Sequence, residues 1–299
     1  MAPSRCPEQS WESVWSRAHT PLRQGILGYR GFRVALDGPR SRLEVPDAVV
    51  TLVLGFGSPL RVRGVARCGA AGEKDEPTVS RSLLAGLSVK ARVGTHDGHV
   101  HGVEVLLQPW AAFRLFGVAM HEVADTVAEP DVVLGPRAGQ LGDALAALSG
   151  WSERFALLDT VLTDWGAAGP TCSPRVVWAW NQLRRTAGTI PIRRLTEQTG
   201  WSWRQLNNRF REQIGLSPKA VARVLRLRRT LRLLADDCPL ADTAARCGFS
   251  DQAHLGREFK NMTGVTPRRF LLLRAASPAP AAAAVDRIPG EVTSVLLRT

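Results

Sequence analysis

Apolar residues recur every three to four positions through the last third of the chain, and alternate or cluster in short runs through the first third. The first pattern is that of helices packing one face, the second that of strands. Helical spacing predicts segments near 174–187, 192–199, 202–213, 217–235, 240–247, 251–262 and 266–274. Three of them are marked by Ser173-Pro174, Ser217-Pro218 and Thr266-Pro267, a hydroxyl cap before a proline at the first helical position, and Ser250-Asp251 supplies a polar cap for a fourth. Between residue 23 and about residue 108, runs such as Ala48–Leu54, Leu60–Val65 and Gly102–Leu107 are punctuated by glycine and proline, which favours an antiparallel sandwich or small barrel. From Pro109 the spacing turns helical over Trp110–Val127, Leu141–Leu148 and Ser152–Trp165.

These elements predict an α+β chain of two domains. Residues 1–165 form a mainly-β barrel or sandwich followed by helices, residues 166–172 a Gly/Ala/Pro linker, and residues 173–274 an all-α unit of seven helices. The final stretch, 275–299, is rich in proline and alanine and is expected to be disordered.

The helical unit contains a repeat. Gly200-Trp201-Ser202 is followed by Leu206, Phe210 and Gly215, and Gly248-Phe249-Ser250 by Leu255, Phe259 and Gly264, each pair 48 or 49 residues apart. A glycine turn, apolar anchors and a polar outer face are what two crossed helices need to present one of them to a DNA groove. Charge concentrates in the same place. Residues 171–274 carry 20 Lys or Arg against 7 Asp or Glu, so the rest of this +12 chain is close to neutral. A basic domain beside a neutral one fits a polyphosphate partner.

In the first copy Arg204, Asn207, Asn208 and Arg211 lie off the apolar stripe, and in the second Gln252, Ala253, Gly256, Arg257 and Lys260 do so. Arginine pairs with guanine and asparagine or glutamine with adenine in the major groove, so these are side chains suited to base reading. His254 serves either as a phosphate contact or as a packed side chain. The intervening helix, from Ser217 to Ala235, would span about 28 Å, near the ~34 Å repeat of DNA. Its Arg223, Arg226 and Arg229 are placed to meet phosphates, whereas Arg228 and Arg232 are assigned to neither side.

Gly215-Leu216-Ser217-Pro218, Gly248-Phe249-Ser250-Asp251-Gln252, Phe259-Lys260 and Gly264-Val265-Thr266-Pro267-Arg268-Arg269-Phe270 resemble the AraC/XylS family of bacterial transcriptional regulators over Ser173–Arg274. The resemblance implies a seven-helix domain with both recognition helices in successive major grooves. By position it assigns base reading to Arg204, Asn207, Asn208, Gln252 and Arg257. It also implies an amino-terminal domain that binds a small effector, dimerises, or does both, and a DNA-bound activator that contacts RNA polymerase. Thr196 and Asn208 depart from the residues many members carry, and Gly256 removes a side chain from the second reader.

Other candidates are weaker. His96, His99 and His101 with Glu104 resemble the His-x-His element of cupin barrels, but a polar turn at Asp97-Gly98 accounts for them equally well, and no metal or cofactor is expected. Phe155, Leu158 and Leu162 suit either a dimer seam or core packing, and Trp178, Trp180, Trp201 and Trp203 read as packing residues. Five scattered cysteines show no metal-knuckle spacing, which argues against a zinc-held methyl acceptor and for a reduced chain. No Gly-x-Ser-x-Gly, phosphate loop or His-Glu-x-x-His is present, so the expectation is a non-enzymatic protein. The alternative is a DNA-directed enzyme or cupin-like metalloprotein with an accessory reader. The polar first residues and the lack of any long apolar run predict a cytoplasmic chain without a signal peptide or membrane segment.

Overall fold

Side chains alternate along a strand, and in the strand His99–Leu107 both sets are used. His101, Val103 and Val105 face a layer of helices, while Val100 and Glu104 face a second sheet. The structure, a computed structural model, describes residues 4–5, 10–65, 76–276 and 286–297. Within them the strands are β1 (Ser4–Arg5), β2 (Ser10–Ser16), β3 (Ile26–Ala35), β4 (Arg40–Glu44), β5 (Val50–Gly55), β6 (Leu60–Gly64), β7 (Thr78–Ser80), β8 (Leu83–Ala85), β9 (Arg92–His96), β10 (His99–Leu107), β11 (Val127–Ala128) and β12 (Ser294–Leu297).

All pairs are antiparallel, in two sheets ordered β1-β2-β3-β10-β5-β8-β11 and β12-β4-β9-β6-β7. The architecture is a sandwich. Phe32, Val53, Val62, Leu83 and Val100 fill one part of the space between the sheets. Another part is charged, holding Arg30, Glu104, Arg42 and Glu44.

The helices that follow are α1 (Pro109–Phe116), α2 (Pro130–Leu134), α3 (Arg137–Ala147) and α4 (Trp151–Ala168). The helix expected over 110–127 stops at Phe116, because Gly117 takes a left-handed φ of 73° and caps it. Val127 and Ala128 are instead paired with β8. Phe155, Leu158 and Leu162 are buried, with Phe155 stacked on Tyr29 at 5.8 Å, so core packing rather than a dimer seam occupies that face.

Seven further helices follow among the described residues: α5 (Pro174–Arg185), α6 (Ile192–Thr199), α7 (Trp203–Ile214), α8 (Pro218–Ala235), α9 (Leu240–Arg246), α10 (Gln252–Thr263) and α11 (Pro267–Ala275). Each lies within two residues of the expected segment. Helix α4 continues to Ala168, three residues into the stretch expected as linker. Beyond it Cys172 Sγ and the Ser173 amide both donate to Gln213 Oε1, at 3.0 and 2.9 Å. One apolar cluster runs without interruption from the sandwich into the seven helices. Trp180, fully buried, donates its indole N–H to Gln108 Oε1 at 2.9 Å across that boundary, and the Ala91 amide donates to the Met262 carbonyl at 2.7 Å.

The expectation of a disordered tail needs correction. Residues 277–285 and 298–299 lie outside the described residues, but β12 pairs with β4 in register Ser294↔Glu44 to Leu297↔Ser41. Val295 is buried in the main apolar cluster, and Arg287 is buried against Asp47 at 2.7 Å. Composition pointed to disorder, but a single arginine with buried carboxylate partners and a four-residue strand on an open sheet edge suffice to order this segment.

Candidate nucleic-acid interface

Each reader begins with local chemistry. Ser202 accepts a hydrogen bond from the Gln205 amide at 3.3 Å, while the Gln205 side chain accepts from the Ser202 amide at 3.0 Å, a reciprocal capping box that starts α7. Asp251 accepts from the His254 amide at 2.6 Å to start α10. That backbone N–H holds the Asp251 carboxyl below its ordinary range, and the Ser250 hydroxyl adds to the effect. Ser217 and Thr266 cap α8 and α11 through the amides of Ala220 and Arg269. Ser173, also expected as a hydroxyl cap, precedes α5 without a side-chain cap bond.

The turns are built on glycine where the backbone requires it. Gly200 has φ 66° between α6 and α7, and Gly248 has φ 74° between α9 and α10, a conformation that strains residues bearing a Cβ. Leu206, Phe210, Leu255 and Phe259 are all buried, so each reader is anchored through the stripe its spacing predicted. The outer faces are open: Arg204, Asn208, Arg211, Gln252, Ala253, Arg257 and Lys260 are exposed, and Asn207 is half-buried.

His254 is half-buried beside the turn. Its ring meets Phe249 edge-on at 5.4 Å, and Nδ1 lies 3.1 Å from the Ser250 hydroxyl. A methyl group at Gly256 would meet no heavy atom within 4 Å, so this position is a gap in the outer surface of α10. Two arginines expected to meet phosphates are engaged internally. Arg223 pairs with Glu258 of α10 at 2.9 Å, and Arg226 lies over the Phe249 ring at 5.4 Å. Arg228 and Arg232, assigned to neither side, both pair with Glu291, at 2.7 and 2.9 Å.

Sequence reasoning missed an open polar groove between α5 and α6 lined by Trp178, Gln182, Arg185, Thr189, Arg194 and Gln198. It draws on two helices and the turn joining them, which no single-helix pattern displays.

The histidine cluster does not converge as a metal site. His101 and Glu104 differ in strand parity and point to opposite faces of their sheet, Glu104 pairing with Arg30 at 3.4 Å. His101 sits between Phe56 and Trp151 with Arg154 alongside, and His96 accepts from the Gly98 amide. No group of three metal-ligating side chains occurs among the described residues.

Two helix pairs, each with a glycine turn before a side-chain-capped second helix, are joined by the 18-residue α8 and keep open outer faces. Residues 195–272 match the family described as a helix-turn-helix domain. This C-terminal domain is of the AraC type. The chain is 36% identical over 92 residues to the HTH-type transcriptional activator RhaR of Pectobacterium atrosepticum, which is 30% of this chain and 32% of that protein. It is 35% identical over 75 residues to the HTH-type transcriptional activator RhaS of Escherichia coli, 25% of this chain and 27% of that protein. The chain therefore matches only about a quarter to a third of the length of these curated relatives. Among solved structures the chain is similar to ToxT of Vibrio cholerae at 10% identity and a TM-score of 0.44, with 82% of this chain and 97% of that one covered. Among the described residues, no helix is long and apolar enough to cross a membrane.

Proposed function

We propose that the whole chain is a sequence-specific DNA-binding transcriptional regulator that places α7 and α10 in successive major grooves. The observation that carries this reading is the pair of capped, outward-facing readers on one AraC-type domain, held apart by a helix of 18 residues, or about 27 Å. Base reading is assigned to Arg204, Asn207, Asn208, Gln252 and Arg257. Arg211 and Lys260, exposed near the ends of the same helices, are assigned to the DNA backbone or to flanking bases. His254 is assigned to shaping the turn before α10 rather than to DNA.

The sign of regulation is proposed as activation, which is how the relatives RhaR and RhaS are described. An activator bound beside a promoter works through RNA polymerase, and the sandwich with its helices is the part available for a small effector or for self-association. The experiment is selection of bound fragments from sheared genomic DNA by the full-length protein at near-physiological salt. Enrichment of one asymmetric motif spanning two adjacent groove turns supports the proposal. Retention of random DNA alone, lost as salt rises, overturns it.

A further inference from the structure

The segment after the AraC-type domain touches both halves of the molecule at once. Asp286 organises it, accepting from the Thr293 and Ser294 amides at 2.8 and 3.2 Å while pairing with Arg274 of α11 at 2.7 Å. The next residue, Arg287, enters the sandwich, where it meets Asp47 at 2.7 Å, Thr51 at 3.2 Å and Glu44 at 3.9 Å. Four residues on, Glu291 holds Arg228 and Arg232 on successive turns of α8. The segment then closes as β12 on the edge of β4.

Asp47 is the hub. Its carboxylate takes Arg287, and its carbonyl accepts from Arg228 of α8. The next residue, Ala48, is held at φ 57° and is buried, a strained conformation for a residue with a Cβ that persists only where the surroundings over-determine it.

We propose that residues 286–297 are a built-in latch that couples the interior of the sandwich to α8, the helix from which both DNA readers hang. Arg287 senses the arrangement of Asp47, Thr51 and Glu44 between the sheets, and Glu291 transfers it to Arg228 and Arg232. Anything that moves Asp47, a small molecule between the sheets or a partner pressing on β4, therefore changes how α8 is held. The recognition faces stay exposed with the latch closed, so the device sets the orientation of the readers rather than covering them. The coupling does not depend on what the readers bind.

Hydrogen exchange on the full chain tests this through two substitutions made at opposite ends of the latch. Arg287→Ala touches only the sandwich side, and Glu291→Gln only the α8 side. Both are expected to accelerate amide exchange by about tenfold in the same two places, Val50–Leu52 of β5 and Leu231–Ala235 of α8. Arg287→Lys, which keeps the charge, should restore much of the protection. Acceleration confined to the side each substitution touches would overturn the proposal. If Arg287→Ala does not fold, Glu291→Gln decides alone, because Glu291 is half-buried and leaves no empty interior position. Arg209→Ala, which breaks the exposed pair with Glu212 on α7, serves as the control and should leave both places unchanged.

Discussion

Arg204 lies near the start of α7 and Arg257 midway along α10, both exposed. Truncating either to Ala should cost roughly 1–3 kcal/mol on the selected DNA site and relax preference at one base position. Competition binding against random DNA checks this: equal losses on both would make the two residues phosphate contacts. A second expectation concerns the histidines. Burial, reinforced by Arg42 at His96 and by Arg33 and Arg154 at His101, lowers both to about 4. The folded state therefore favours neutral rings. Their contribution to stability is complete above the ordinary histidine value of about 6.5 and is lost as pH falls from there toward 4. Burial would push Glu44 up, but Arg42, Arg287 and Arg92 outweigh it and hold the carboxyl at about 2, so its contribution survives to lower pH. Urea midpoints should consequently fall between pH 6.5 and 4, and His96→Gln with His101→Gln should flatten that slope. A slope unchanged in the double variant would place the sensitivity elsewhere.

At the level of elements, Gly256 offers a separation of stability from binding. Its backbone is not in the left-handed region, and a methyl group there meets nothing, so Gly256→Ala should stabilise α10 by about 0.5–1 kcal/mol, visible as a raised thermal midpoint. If DNA closes on that gap, affinity for the selected site falls as stability rises. A lowered midpoint would show that the glycine serves the fold instead. The helices around it were legible because their determinants are local: Ser202, Ser217, Asp251 and Thr266 lie within three residues of the amides they cap, and Leu206 and Phe210 lie four apart on one face. The readers' exposed arginines and asparagine followed from the same spacing. Determinants contributed by distant segments were not legible. Arg223 reads as a surface cation until Glu258, 35 residues away, is placed beside it. The opposite facing of His101 and Glu104 was available from strand parity alone, once the strand was known to run unbroken from His99 to Leu107.

Over the whole molecule, one apolar cluster and a set of buried ion pairs join parts that composition separates sharply, a neutral first part and a strongly basic reader. Such a chain should unfold as one unit, with the carboxy-terminal segment among its supports. Deleting residues 286–299 removes Arg287 and leaves Asp47 and Glu44 facing Arg30, Arg42 and Arg92 without their central partner. It also uncovers Val295's position in the core and frees the edge of β4. Breaking one side of a buried ion pair costs about 3–5 kcal/mol, because the remaining charge stays out of water. The truncated protein should therefore lose at least about 3 kcal/mol of stability and show a lower urea midpoint. The exposed β4 edge should also make it more prone to self-association at high concentration. An unchanged midpoint would mean that the segment rests on the surface without supporting it, and would return residues 286–297 to the solvated tail their composition predicts.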